Sequence, residues 1–143
     1  MRWTFERQHS PEYIHIESRG VLTADSFASM LDALFAYDEW EPRLPILFIR
    51  RTIDQETPEP FELFKTSSVF IDKIPNLAFT KIAVVFDTPE AFERGLRFHE
   101  ATTSESEAFL AIFQDEEQAR SWLLGATIDP PETVHLHSKA KKA

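Results

Sequence analysis

Residues 108–124 read AFLAIFQDEEQARSWLL, and this stretch decides the fold. An apolar run, 109–113, meets Asp115, and a short amphipathic helix follows that ends in Trp122, Leu123 and Leu124. Gly125 then stops it, as glycine does just past a helix end. Two earlier segments have the same strand-then-helix form. Residues 46–50 (ILFIR) are continuously apolar before Arg, and residues 79–86 (FTKIAVVF) form a second such run. Continuous apolar runs indicate strands covered on both faces. Strands alternating with helices imply a mostly parallel sheet.

Upstream the pattern changes. Residues 3–7 and 13–19 alternate, with Trp3, Phe5, Ile14 and Ile16 inward and His15 and Glu17 outward. With the turn signal at 9–12 between them, they read as an antiparallel hairpin with one wet face. Thr23 is a good N-cap, and Asp25 follows in the first turn. Phe27, Met30, Leu31, Leu34 and Phe35 then fall on one helical stripe. Residues 61–74 carry Phe61, Leu63, Phe64, Val69, Phe70, Ile71 and Ile74, so this helix is expected to be well buried and to end at Pro75-Asn76. Asp87 or Thr88 caps the next helix, with Pro89 in its first turn and Ala91, Phe92 and Leu96 inward. The expected fold is therefore a single α/β domain. It has a roughly five-stranded mixed sheet and four main helices over residues 1–127. Residues 128–143, with Pro130-Pro131, His135, His137 and three lysines, read as a tail.

Composition narrows the function. The chain has 143 residues and a formal net charge of −9. That acidity disfavours nucleic acid, whose phosphates need a basic footprint. Cysteine is absent, which excludes disulfides and thiol chemistry. No apolar run is long enough to span a bilayer, and no apolar segment of a secretory signal follows Met1-Arg2-Trp3. A cytoplasmic location is the expectation. Thirteen Phe against two Tyr and two Met indicate a Phe-rich core or an aromatic-lined apolar pocket.

The segment from Arg19 to Thr23 (RGVLT), the strand 79–87 (FTKIAVVFD) and the closing 113–123 (FQDEEQARSWL) together resemble SpoIIAA-like (STAS-like) domains. In that family a G-x-L-T element precedes the first helix, and an F-x-x-x-x-E-A-x-x-W-L segment closes the domain. Gln118 stands here where the family usually has Glu. The similarity spans roughly residues 13–124 and rests on fold markers. The resemblance implies an α/β domain of the anti-sigma-factor-antagonist type, often a bacterial regulatory or interaction module. The antagonist branch carries a phosphorylatable Ser in an Asp-Ser-Ser-Gly-like turn after the central strand. Residues 50–58 here read RRTIDQETP, without that motif, and Ser67-Ser68 lies deep in a helix. The phosphorylation switch is not carried over.

Candidate chemistry is sparse. Arg50, Arg51 and Thr52 end a buried strand ahead of a helix start, where open α/β sheets bind ligands and helix N-termini favour anions. This is the best position for an acidic ligand or a partner's carboxylate, set against a solvated arginine pair answering Asp54, Glu56 and Glu59. His15, His99 and Glu100 lack metal-ligand spacing. His135-x-His137 could hold a metal only from the tail. Asp54, Glu56, Glu59 and Glu62 have the spacing of a solvated loop, with no His or Ser tied to them. Thr103, Ser104 and Ser106 have no activating base nearby. No catalytic residue, metal or cofactor is assigned.

Two roles follow: a non-enzymatic regulatory or protein-interaction module, or a carrier of a small apolar or lipid-like ligand. Partners expected on this reading are a protein, a second copy or a small apolar molecule. The second copy has a physical motive. Right-handed crossovers progressing one way put their helices on one face of the sheet, so the other face needs cover. A two-fold partner is the commonest remedy. A helix such as 60–74 or a bound apolar ligand are its rivals.

Overall fold

The computed structural model describes residues 1–51, 60–103 and 109–125, with side chains of 60–64, 67, 74, 101–103 and 109 left aside. Five strands form one sheet in the order β1 (Arg2–His9), β2 (Glu12–Arg19), β3 (Ile46–Arg51), β4 (Lys81–Phe86), β5 (Phe109–Phe113). β1 and β2 are antiparallel, and every later pairing is parallel. The expected mixed α/β sheet with its edge hairpin is the one observed. The expected tail, 128–143, lies outside the described residues.

Register gives each face its own core. Ile14, Ile16, Ile46, Ile82 and Leu110 point to the front face. Tyr13, Leu47, Ile49, Ala83, Val85, Ala111 and Phe113 point to the back. The period-2 alternation of side chains makes both faces of β3 and β4 apolar, as their continuous runs required.

Helices α1 (Ala24–Ala36), α2 (Pro60–Leu77) and α3 (Pro89–Thr103) cover the front. At α1, the Thr23 hydroxyl accepts from the Ser26 amide at 3.1 Å and the Thr23 amide donates to Ser26 Oγ at 2.9 Å, a reciprocal cap. Thr88 caps α3, its hydroxyl accepting from the Ala91 amide at 3.1 Å, so Pro89 takes the first position, where its missing N–H costs nothing. His99 is buried in α3 and its Nε2–H donates to the Leu110 carbonyl at 2.6 Å, which ties the helix to β5.

Helix α4 (Glu116–Leu123) crosses to the back face. Asp115 caps it by accepting from the amides of Glu117 and Gln118 at 2.7 and 3.2 Å. Ala119, Trp122 and Leu123 are buried against Ala83, Ala111 and Phe113. The back of the hairpin carries polar residues such as Glu6, His15 and Glu17. The second face is thus covered from within the chain by α4, and the motive for a second copy is met without one.

Two boundaries differ from the sequence reading. Strand β4 begins at Lys81, because Phe79 adopts a left-handed conformation (φ 61°) and lies 56% exposed before it. Such a conformation breaks extended pairing. Helix α2 continues through Pro75 to Leu77, whose side chain is 1% exposed. Burial of Leu77 holds the last turn against the loss of the proline N–H. Among the α2 residues whose side chains are described, Thr66, Phe70 and Leu77 are buried and Val69 and Ile71 half-buried. The main neighbours of α2 are α1 and α3 rather than the sheet.

Candidate functional site

Because α2 rests on the flanking helices, a space remains between it and the sheet. This is an apolar cavity of about 240 Å³. Its floor is the front of β3, β4 and β5, including Ile46, Phe48, Ile82, Val84 and Ile112. The walls come from α1 through Phe27, Met30 and Leu34, and from α3 through Ala91 and Phe98. Thr66, Phe70 and Leu77 of α2 form the roof. From Ile46 to Arg50 the floor runs four residues of strand, or ~13 Å.

The Phe-rich core and the aromatic-lined pocket are the same residues. Phe98 makes edge contacts with Phe27 (6.1 Å, 84°) and Phe70 (5.5 Å, 64°), joining the three front helices. Edge-to-face pairs of this kind fix ring orientation. The rings therefore shape the cavity wall while their outer edges remain in the core.

Of the three residues singled out at the end of β3, the structure brings one into this space. Arg50 lies at the carboxyl end of the cavity, 3% exposed, and donates to the carbonyls of Gly20 and Arg51, the latter at 3.2 Å. Arg51 points to the back face, where it meets Glu17 at 3.5 Å. Successive strand residues face opposite ways, so two adjacent arginines could not share one site. Thr52 lies outside the described residues, as do the Asp54, Glu56 and Glu59 loop and His135 and His137. Sequence reading missed Arg94 and Arg97 of α3, which also line the cavity. The signal was present: Ala91, Arg94 and Phe98 are three and four residues apart and share a helical face.

A second concavity is polar and more open. It lies on the back of the hairpin, lined by Tyr13, His15, Glu17 and Arg120 among others. The Tyr13 hydroxyl, and after it Glu116, hold the Arg120 guanidinium above its ordinary range against the opposing effect of burial. Glu116 lies 2.6 Å from Arg120. His15 meets Glu17 at 3.6 Å, a contact of surface type. These groups satisfy one another, and none is placed beside a nucleophile. Among the described residues, no group of three or more His, Asp or Glu could hold a metal ion. No described helix is long and apolar enough to cross a membrane.

No family model matches the chain, and no curated protein matches it. A solved structure does. It is an uncharacterised protein of the DUF3478 family with a SpoIIAA-like fold from Shewanella loihica PV-4, with a TM-score of 0.52 at 14% identity. The match covers 85% of this chain and 92% of that one. This chain has a SpoIIAA-like fold. At that identity the likeness concerns the arrangement of strands and helices alone. Within the SpoIIAA-like fold, the apolar cavity under α2 is the candidate site.

Proposed function

We propose that this domain is a non-enzymatic binding module that carries a small apolar or lipid-like molecule between the sheet and α1–α3. The single observation behind the reading is the apolar cavity of about 240 Å³. Ligand sites are concave, mostly apolar and furnished with a few polar groups. An apolar volume of this size forgoes up to about 6 kcal/mol of packing at ~24 cal/mol per Å³. That is a large share of the 5–15 kcal/mol that typically holds a domain together. A ligand filling the space restores those contacts, so binding and folding reinforce each other.

The protein-interaction role has less behind it. The large exposed apolar side chains among the described residues are Val21 and Phe79. They follow β2 and precede β4, at opposite ends of the sheet, and make no continuous patch of the kind that marks an interface.

The test is native mass spectrometry on protein purified from its own host without detergent. The expected result is a species heavier than the 16.6 kDa chain that loses one small molecule on activation. The bare chain mass alone, with no organic-soluble molecule released on denaturation, would contradict the reading.

A further inference from the structure

A surface apart from the cavity is the outer edge of β1. The sheet ends on this strand, whose eight residues pair one to one with β2 without a bulge. The direction of its backbone groups follows from β2. The Ile14 amide donates to the Pro45 carbonyl at 2.8 Å, toward β3. Successive residues of a strand turn their backbone groups to opposite sides. Tyr13, His15 and Glu17 therefore turn theirs to β1, where their partners are Gln8, Glu6 and Thr4. The amides and carbonyls of Trp3, Phe5 and Arg7 then point outward, and among the described residues no backbone group pairs with them. A long, regular edge of this kind is a template for another strand. Its side chains leave apolar surface in reach of one. Trp3 and Phe5 are half-buried at the rim of the front core, Phe5 with its ring 5.5 Å from Tyr37. Arg2, Thr4 and Glu6 are exposed on the back.

We propose that two copies of this chain join edge to edge through β1, antiparallel about a two-fold axis at Thr4, into one continuous sheet. With Thr4 opposite its own copy, Trp3 lies opposite the partner's Phe5 and Arg2 opposite the partner's Glu6, each twice by symmetry. Odd residues then face odd residues, so the outward amides and carbonyls of Trp3 and Phe5 meet across the seam. Aromatic pairs and opposite-charge pairs are the favourable ones between antiparallel strands. Other registers lose this match. Centring the axis on Glu6 or Arg7 sets like charges against each other. Centring it on Phe5 leaves Arg2 against the partner's Gln8 and Glu6 against the partner's Thr4. The seam also escapes the acidity of the molecule. β1 carries two arginines and one glutamate, whereas the chain has 24 acidic and 15 basic side chains. A self-complementary patch of this kind closes as a dimer and leaves no edge for further growth. The contact serves the strand edge and not the sheet face, which α4 covers, and it stands independently of the cavity's being a ligand site.

The experiment is sedimentation velocity of the full chain at micromolar concentration, with wild type beside Arg2→Glu, Glu6→Arg and the double variant. Wild type is expected at twice the 16.6 kDa chain mass. Each single reversal sets like charges across the seam and should weaken the dimer at least tenfold. The double variant restores the pairs with their signs exchanged and should return to within about threefold of wild type. Both positions are exposed, so the fold is expected to survive every reversal. Crosslinking checks the register. Cysteine is absent from the chain, so Thr4→Cys supplies its one thiol. The Cα atoms of such a non-hydrogen-bonded pair lie ~4.5 Å apart, within disulfide reach. Oxidation by copper-phenanthroline should convert this variant to a covalent dimer and leave Gln8→Cys uncrosslinked. A single species at the chain mass in wild type would overturn the inference. So would single reversals that leave the dimer intact, a double variant no tighter than the single ones, or crosslinking at Gln8→Cys in place of Thr4→Cys.

Discussion

Replacing Trp122 with Ala is expected to cost ~3–5 kcal/mol of folding stability, the range for deleting a large buried aromatic. Trp122 is 5% exposed, and its ring meets Phe113 at 5.8 Å. Lys81 Nζ lies 4.6 Å from the ring centroid and donates to the Trp122 carbonyl at 2.6 Å. One side chain thus clamps α4 onto β4 and β5. Without it, the back of the sheet would show Ala83, Ala111 and Phe113 to water. Urea unfolding measures the loss as a shift in midpoint at constant slope. A loss under about 1 kcal/mol would mean that α4 does not seal this face.

The second large effect separates the two faces of β4. Val84 is half-buried and faces the cavity, whereas Ala83 is fully buried beneath α4. Val84→Phe should fill space that already exists. It is expected to weaken binding of a long-chain alcohol at least tenfold and to leave the thermal midpoint unchanged or higher. Ala83→Leu enters a filled interface and should destabilise by ~1–3 kcal/mol, the cost of overpacking, with alcohol binding retained by the folded fraction. Similar losses of stability in both variants would show that the front face is packed as tightly as the back.

Much of the fold was legible because it is written in local signals. Thr23 caps α1 as its sequence implies, Thr88 rather than Asp87 caps α3, and Asp115, where the last apolar run ends, caps α4. The apolar runs of β3 and β4 announced burial on both faces. What covers the second face was less legible, since the helix that turns to the back is decided by packing of Ala119 and Trp122 on small residues of the sheet. Phe79 was read into a strand because an aromatic beside Thr-Lys-Ile continues a β-like pattern, while its left-handed backbone is set by the turn after α2. Arg50 stands at the end of β3, as its place in the apolar run implies. Its separation from Arg51 follows from strand geometry. The cavity itself was not legible. It exists because α2 leans on α1 and α3. Composition counts phenylalanines but does not say whether the space between them is filled.

On the proposed function, the front of the sheet holds a ligand and the back does not. Methyl NMR during titration with dodecanol tests it most directly. Ile16, Ile46, Ile82, Val84 and Ile112 line the cavity, while Leu47, Ile49, Val85 and Leu123 belong to the core beneath α4. Saturable shifts are expected in the first group, with the second nearly unmoved. An unchanged spectrum, or shifts centred on the second group, would contradict it.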